Sequence, residues 1–167
     1  HGTTLAMLGT MRRLTWLALA VYSAVMIALT MLKAFYRIGY LWDPAVHRHR
    51  ELRPVPLEDL LGATGWFLPA FGYLGNLAFF VPFGVLVYML HIDDRRTVLV
   101  GFLATLAIEV AQYVFALGYS DIDDLLMNTL GAFLGALVAR AFGPRWHKVW
   151  IGLGERLGDP DKVVDVY

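Results

Sequence analysis

Residues Thr97–Leu117 read TVLVGFLATLAIEVAQYVFAL, a run in which Glu109 is the one charge and Gln112 the one amide. At about 1.5 Å per helical residue this run is roughly 31 Å long, the thickness of the hydrocarbon core of a bilayer. A glutamate at that depth costs several kcal/mol if it faces lipid, so Glu109 must point toward other helices, a proton or a cation. The stretch therefore predicts both a membrane span and a polar site inside a bundle.

Three more runs of the same kind flank it. Leu14–Leu32 holds 19 residues without a charge, between Arg12-Arg13 and Lys33. Trp66–Leu90 is a second span; Pro82 within it is tolerable in lipid, where neighbouring helices satisfy the freed carbonyl. Leu125–Phe142 is the last, entered near Asn128 and carrying Gly131 and Gly135 at i,i+4. The composition agrees: of 167 residues 58% are hydrophobic and 17% charged, with a mean hydropathy of +0.57. The expected fold class is all-α, a polytopic membrane protein of about four transmembrane helices.

The domain organisation follows. Residues 1–13 form an N-terminal segment whose first four read as a tag remnant, residues 14–142 the four-helix membrane domain, and residues 143–167 a polar tail. Between spans lie a long polar loop over Ala34–Gly65, with a short amphipathic piece at Leu57–Leu61, a tight charged turn at His91–Arg96, and a loop at Gly118–Asp124. Lysines and arginines set orientation. Nine lie at the N-terminus, the 91–96 turn and the tail against five on the other side, which predicts both termini in the cytoplasm.

Several function classes drop out. The absence of cysteine removes disulfides, thiolate metal sites and cysteine nucleophiles. Lys plus Arg equals Asp plus Glu at 14 each, so no basic footprint suggests nucleic acid. His47 and His49, flanked by arginines in the long loop, read as a surface patch near anionic headgroups.

The intramembrane polar residues converge in depth. Helical rise places Asn76 roughly 15 Å, Glu109 roughly 12 Å and Asn128 roughly 6 Å below the outer ends of their spans. Glu109 and Gln112 share a face, as do Asn128, Gly131 and Gly135. Two readings compete. The polar residues are interhelical hydrogen-bond glue, worth about 1 kcal/mol per contact, or they form a site in which Glu109 is the acid or base and Asn76, Gln112 and Asn128 orient a ligand. Of Asp121, Asp123 and Asp124, one or two serve the positive end of the following helix; together with Glu109 they offer the oxygens a divalent cation such as Ca²⁺ or Mg²⁺ requires. The glycines of the last span present a surface on which another helix, including that of a second copy, packs closely.

Two stretches carry a longer pattern: Gly75-Asn76-Leu77-Ala78-Phe79-Phe80-Val81-Pro82-Phe83-Gly84, and Ile108-Glu109-Val110-Ala111-Gln112 followed by Ser120-Asp121-Ile122-Asp123-Asp124-Leu125-Leu126-Met127-Asn128-Thr129-Leu130-Gly131. The order Asn-x3-Phe-x-Pro-x-Gly, Glu-x2-Gln, Asp-x-x-Asp-x3-Asn-x2-Gly resembles the VanZ-like family over roughly residues 50–140. The resemblance implies a multi-span bacterial membrane protein linked to low-level resistance to the glycopeptide teicoplanin. Many relatives carry an arginine just before the aspartates, where this chain has Gly118-Tyr119-Ser120; Arg48, Arg50 or Arg53 is the expected substitute. The expected function is binding, with or without chemical modification, of a lipid-linked envelope molecule entering from the outer leaflet. Glu109, Asp121 and Asp124 are the candidate catalytic groups; Asn76, Gln112, Asn128 and Arg53 are the candidate ligand contacts. Phe80, Pro82, Gly84, Gly131 and Gly135 take structural roles. The rival is an accessory membrane protein whose polar cluster only holds helices together.

Overall fold

A computed structural model describes the backbone of residues 2–32, 36–37, 40–41, 49–62, 65–90 and 92–157, and side chains within 9–30, 52–58, 60–62, 65–90, 92–116 and 120–143. In chain order the elements are α1 (Gly2–Leu32), β1 (Tyr36–Arg37), β2 (Tyr40–Leu41), β3 (His49–Arg53), α2 (Glu58–Gly62), α3 (Phe67–Met89), α4 (Asp94–Val114), β4 (Leu117–Asp121) and α5 (Ile122–Leu157). Among the described residues four segments are long and apolar enough to cross a membrane: Gly9–Thr30, Phe67–Met89, Asp94–Val114 and Ile122–Gly143. The all-α polytopic architecture is as the apolar runs predict.

Helices α3, α4 and α5 form the core, with α5 packed most extensively on α3 and next on α4. Helix α1 lies at the side and, among its described side chains, buries little besides Met26. Two polar hooks hold it. The Tyr22 hydroxyl donates to the Phe79 carbonyl at 2.7 Å, next to the Ala78 carbonyl that Pro82, having no N–H, cannot serve. Near the other end of α1, Gln112 Nε2 donates to the Thr30 carbonyl at 3.4 Å. That carbonyl lies in the last turn, where helical donors run out.

The α3–α5 seam is built on small residues. A methyl group on Gly131 would collide with the Leu77 carbonyl, one on Gly135 with the Val81 carbonyl, and one on Gly84 with the Ala132 backbone. The glycines whose spacing offers a surface for self-association are thus filled by the chain's own α3. Phe80 and Phe83 are buried beside this crossing, with ring centroids 5.5 Å apart, while Pro82 faces outward.

The polar connections are more structured than a loop reading allows. Helix α4 ends at Val114, because Ala116 turns left-handed (φ 56°) and sends the chain back as β4. β4 pairs in parallel with β3, in register from His49↔Leu117 to Arg53↔Asp121. Phe115-Ala116-Leu117 contains no glycine or proline, so its apolar character reads as span. A two-stranded antiparallel ladder also joins β1 to β2. β3, β4 and α2 together form a cap at the end of the bundle where α3 begins and α4 ends.

At the far end, Asp93 caps α4 by accepting from the Arg96 amide at 2.8 Å, and Arg140 pairs with Asp94 at 2.7 Å. Beyond it α5 continues to Leu157, where composition suggests a polar tail. The apolar residues Phe142, Trp146, Trp150 and Leu153 recur every three or four residues, the spacing of one helical face.

Candidate functional site beneath the cap

Each span contributes to the cap end for a local reason. α5 starts where it does because the Asp121 side chain accepts from the Asp123 amide at 2.9 Å, serving one of the first-turn donors that a helix cannot satisfy itself. This is the capping role expected for one aspartate. Asp123 goes elsewhere. Its buried carboxylate accepts from the Leu57 amide with both oxygens, at 3.0 and 2.8 Å, and from the Tyr73 hydroxyl at 2.9 Å. Leu57 has a left-handed backbone (φ 60°), an arrangement costing about 1 kcal/mol or more that this carboxylate offsets. Asp123 therefore clips the cap to both α3 and α5.

Asp124 accepts from Asn76 Nδ2, which joins α3 to α5 one turn below the cap. Glu109 is buried and accepts from the Asp121 amide at 2.9 Å, while the Ser120 hydroxyl donates to the Glu109 carbonyl at 3.3 Å. Glu109 is thus tied to the β4–α5 junction folded over it, with Asp121 and Asp124 within electrostatic range. Because β4 returns to it, Glu109 lies only five residues from the end of α4, roughly 8 Å, shallower than the depth expected from an uninterrupted span.

One turn deeper, Asn128 Nδ2 donates to Thr105 Oγ1 at 2.8 Å in a fully buried contact. These pairings form an antiparallel ladder along the α4–α5 seam: Glu109 beside Asp121, Thr105 with Asn128, Gly101 against Ala132, and Asp94 with Arg140. The seam is polar at both ends. Its middle is closed, because Gly101 admits Ala132 so tightly that no side chain fits between them.

Asn76, Glu109, Asp121, Asp124 and Asn128 are accordingly brought together at one end. Gln112 shares that end but spends its amide donor on α1. Arg53 lies opposite Asp121 in the β3–β4 register and is partly exposed. His47 and Arg48 lie outside the described residues, as do the side chains of His49 and Arg50. The carboxylates diverge: Asp123 turns to the Leu57 turn, Asp124 to Asn76, and Asp121 to its own helix. Among the described residues no three acidic or histidine side chains gather closely enough to share a metal ion.

Sequence reasoning passed over Thr105, Thr97 and Tyr73. The threonines had a signal, since Thr97, Gly101, Thr105 and Glu109 recur at four-residue spacing and mark a small, polar face of α4. Tyr73 had none, because an aromatic near a span end is ordinarily an interfacial anchor.

The family model VanZ/LLP1 matches residues 19–143, from within α1 to the end of the last span, including the cap. Protein VanZ of Enterococcus faecium is 32% identical over 125 residues, covering 70% of this chain and 68% of that protein. No solved structure matches the chain. With three of the four spans entire, the latter part of the first, the cap and the seam residues inside the matched stretch, the chain belongs to the VanZ family.

Proposed function

We propose that this protein binds a lipid-linked cell-envelope molecule that enters from the outer leaflet, and that the headgroup sits beneath the cap against Glu109, Asp124 and Asn128. The observation that carries the reading is the gathering of buried polar side chains from α3, α4 and α5 at one end of an otherwise apolar bundle. Ionisable groups inside a membrane domain are costly and belong by default to sites. The balance of lysine and arginine supports an orientation in a bacterial cell membrane with the cap outside and both termini in the cytoplasm. The link to teicoplanin resistance comes from the family resemblance: a protein that occupies or alters an envelope molecule changes what a glycopeptide meets at the surface. If the bound molecule is chemically altered, Glu109 is the group placed to move a proton, and Asp121 and Asp124 are the acids beside it.

A second reading has its own observation. Thr105–Asn128, Asn76–Asp124 and Glu109–Asp121 are hydrogen bonds between elements, which a purely accessory protein would also need. Glu109→Gln separates the two. The amide keeps an acceptor for the Asp121 amide, so the protein should express and unfold as the parent does, while any teicoplanin-resistance phenotype is lost. Full phenotype in this variant removes the acid–base role. Loss of the folded protein favours the accessory reading.

A further inference from the structure

We infer that the group bound beneath the cap is a primary ammonium, a positively charged hydrogen-bond donor, and not a phosphate. The inference rests on the binding reading above and names the chemistry of that site. It follows from how the donors of the seam are spent. Asn128 Nδ2 is committed to Thr105, Gln112 Nε2 to the Thr30 carbonyl, Asn76 Nδ2 to Asp124, and the Asp121 amide to Glu109. Each amide nitrogen thus gives at least one of its two hydrogens to the fold, whereas two of the amide oxygens receive none. Asn128 Oδ1 and Gln112 Oε1 are buried oxygens without a hydrogen-bond partner, on residues only 5% and 8% exposed.

Each of these residues lies one helical turn from a carboxylate. Asn128 is four residues from Asp124 on α5, and Gln112 is three from Glu109 on α4. The two orphaned oxygens therefore flank the Glu109 and Asp124 level, deeper and shallower. A buried unpartnered carbonyl costs about 1–3 kcal/mol, so a ligand that donates to it gains what the folded chain leaves unmade. A phosphate brings more oxygens and a charge of about −1.5 to −2 at neutral pH to groups that are themselves acceptors and acids. An alkylammonium brings three N–H donors and one positive charge. Among the described side chains the one cation of the cap is Arg53, and it is already engaged. A metal ion would answer the charge, but the diverging carboxylates do not form the oxygen cage it requires.

The test uses the full chain in nanodiscs of phosphatidylcholine, a lipid whose headgroup has no primary amine. Three probes share one diazirine-bearing twelve-carbon chain and differ in headgroup: primary amine, N-acetylated amine, and phosphate. The amine probe is expected to crosslink saturably to peptides of α4 and α5 around residues 105–128. The N-acetylated and phosphate probes should need at least tenfold higher concentration. Glu109→Gln and Asn128→Leu should each weaken the amine probe fivefold or more, whereas Asn128→Asp, which keeps the acceptor, should retain it. Should Asn128→Leu fail to fold, Gln112→Leu beside Asn128→Asp gives the same comparison. Equal or tighter binding of the phosphate probe, still sensitive to Glu109→Gln, overturns the ammonium assignment and leaves the binding reading standing. Absence of saturable labelling at the seam by every probe removes both.

Discussion

Helix α5 meets its two neighbours by opposite means. Toward α3 it presents Gly131 and Gly135, and the backbones close until side chains have no room. Toward α4 it presents Asn128 and, at the far end of that seam, Arg140, and the contact is made by side-chain hydrogen bonds around one tight point at Gly101. Lipid gives no hydrophobic drive for helix association, so van der Waals contact and interhelical hydrogen bonds are the available means. The first seam holds the fold, and the second is the one that can be given over to a ligand. The dry seam has many contacts and no alternative partner. The polar seam has a few directed bonds, and at its cap end the oxygens of Asn128 and Gln112 are left over.

Widening the dry seam should do the most damage. Gly135→Val puts branched carbon into the Val81 carbonyl and the Val85 amide, both backbone, so α3 and α5 must move apart. A loss of about 3 kcal/mol or more is expected, the upper range for overpacking, read as early unfolding in a denaturing-detergent titration. Gly72→Ala on the partner helix α3, where an added methyl meets nothing within 4 Å, should leave stability equal or raise it by up to about 1 kcal/mol. If the two variants unfold alike, the seam is not the principal support of the bundle.

Next in size is the clip above both seams. Asp123→Ala removes the acceptor for the Leu57 amide and the Tyr73 hydroxyl and leaves a left-handed leucine unsupported. Hydrogen bonds to charged groups contribute about 1.5–3 kcal/mol, and the expected loss is about 2–3 kcal/mol. It should be local: amide exchange at Leu57 and proteolysis between β3 and α2 should rise while the spans stay protected. Asp123→Asn, which keeps one acceptor oxygen, should fall between. Unchanged exchange at Leu57 would show that the β3–β4 ladder alone holds the cap.

What the sequence allows a reader to see follows the same division. The four spans are legible because charge clusters bracket long apolar runs, and Glu109 and Asn128 stand out because polar groups in such runs are costly. Gly131 and Gly135 announce close packing by spacing alone, although not which helix they meet. The cap is not legible. β3 and β4 pair in parallel across more than sixty residues, and neither strand has an alternation pattern that distinguishes it from loop. The division of labour among Asp121, Asp123 and Asp124 depends on which element each reaches after the chain reverses at Ala116, a turn made by a residue without a glycine's signature. Tyr22 likewise looks like any aromatic in a span until Phe79 lies beside it.

The smallest effect belongs to the polar seam and is the sharpest check on the comparison. Thr105→Val preserves shape and removes the acceptor of Asn128 Nδ2, leaving Asn128 with both ends of its amide unpartnered in a buried site. Interhelical hydrogen bonds of this kind contribute on the order of 0.6–1 kcal/mol in membranes, so a loss of about 1 kcal/mol is expected in the same detergent titration. Thr105→Ser, with its hydroxyl intact, should recover most of it. A loss as large as that of Gly135→Val would mean that the hydrogen-bonded seam supports the bundle as much as the dry one. Asn128 would then be a structural brace with little freedom to turn toward a ligand. A loss near zero would mean the opposite: that the Asn128 amide is readily released from α4, as a group that shares its time between the fold and a bound molecule must be.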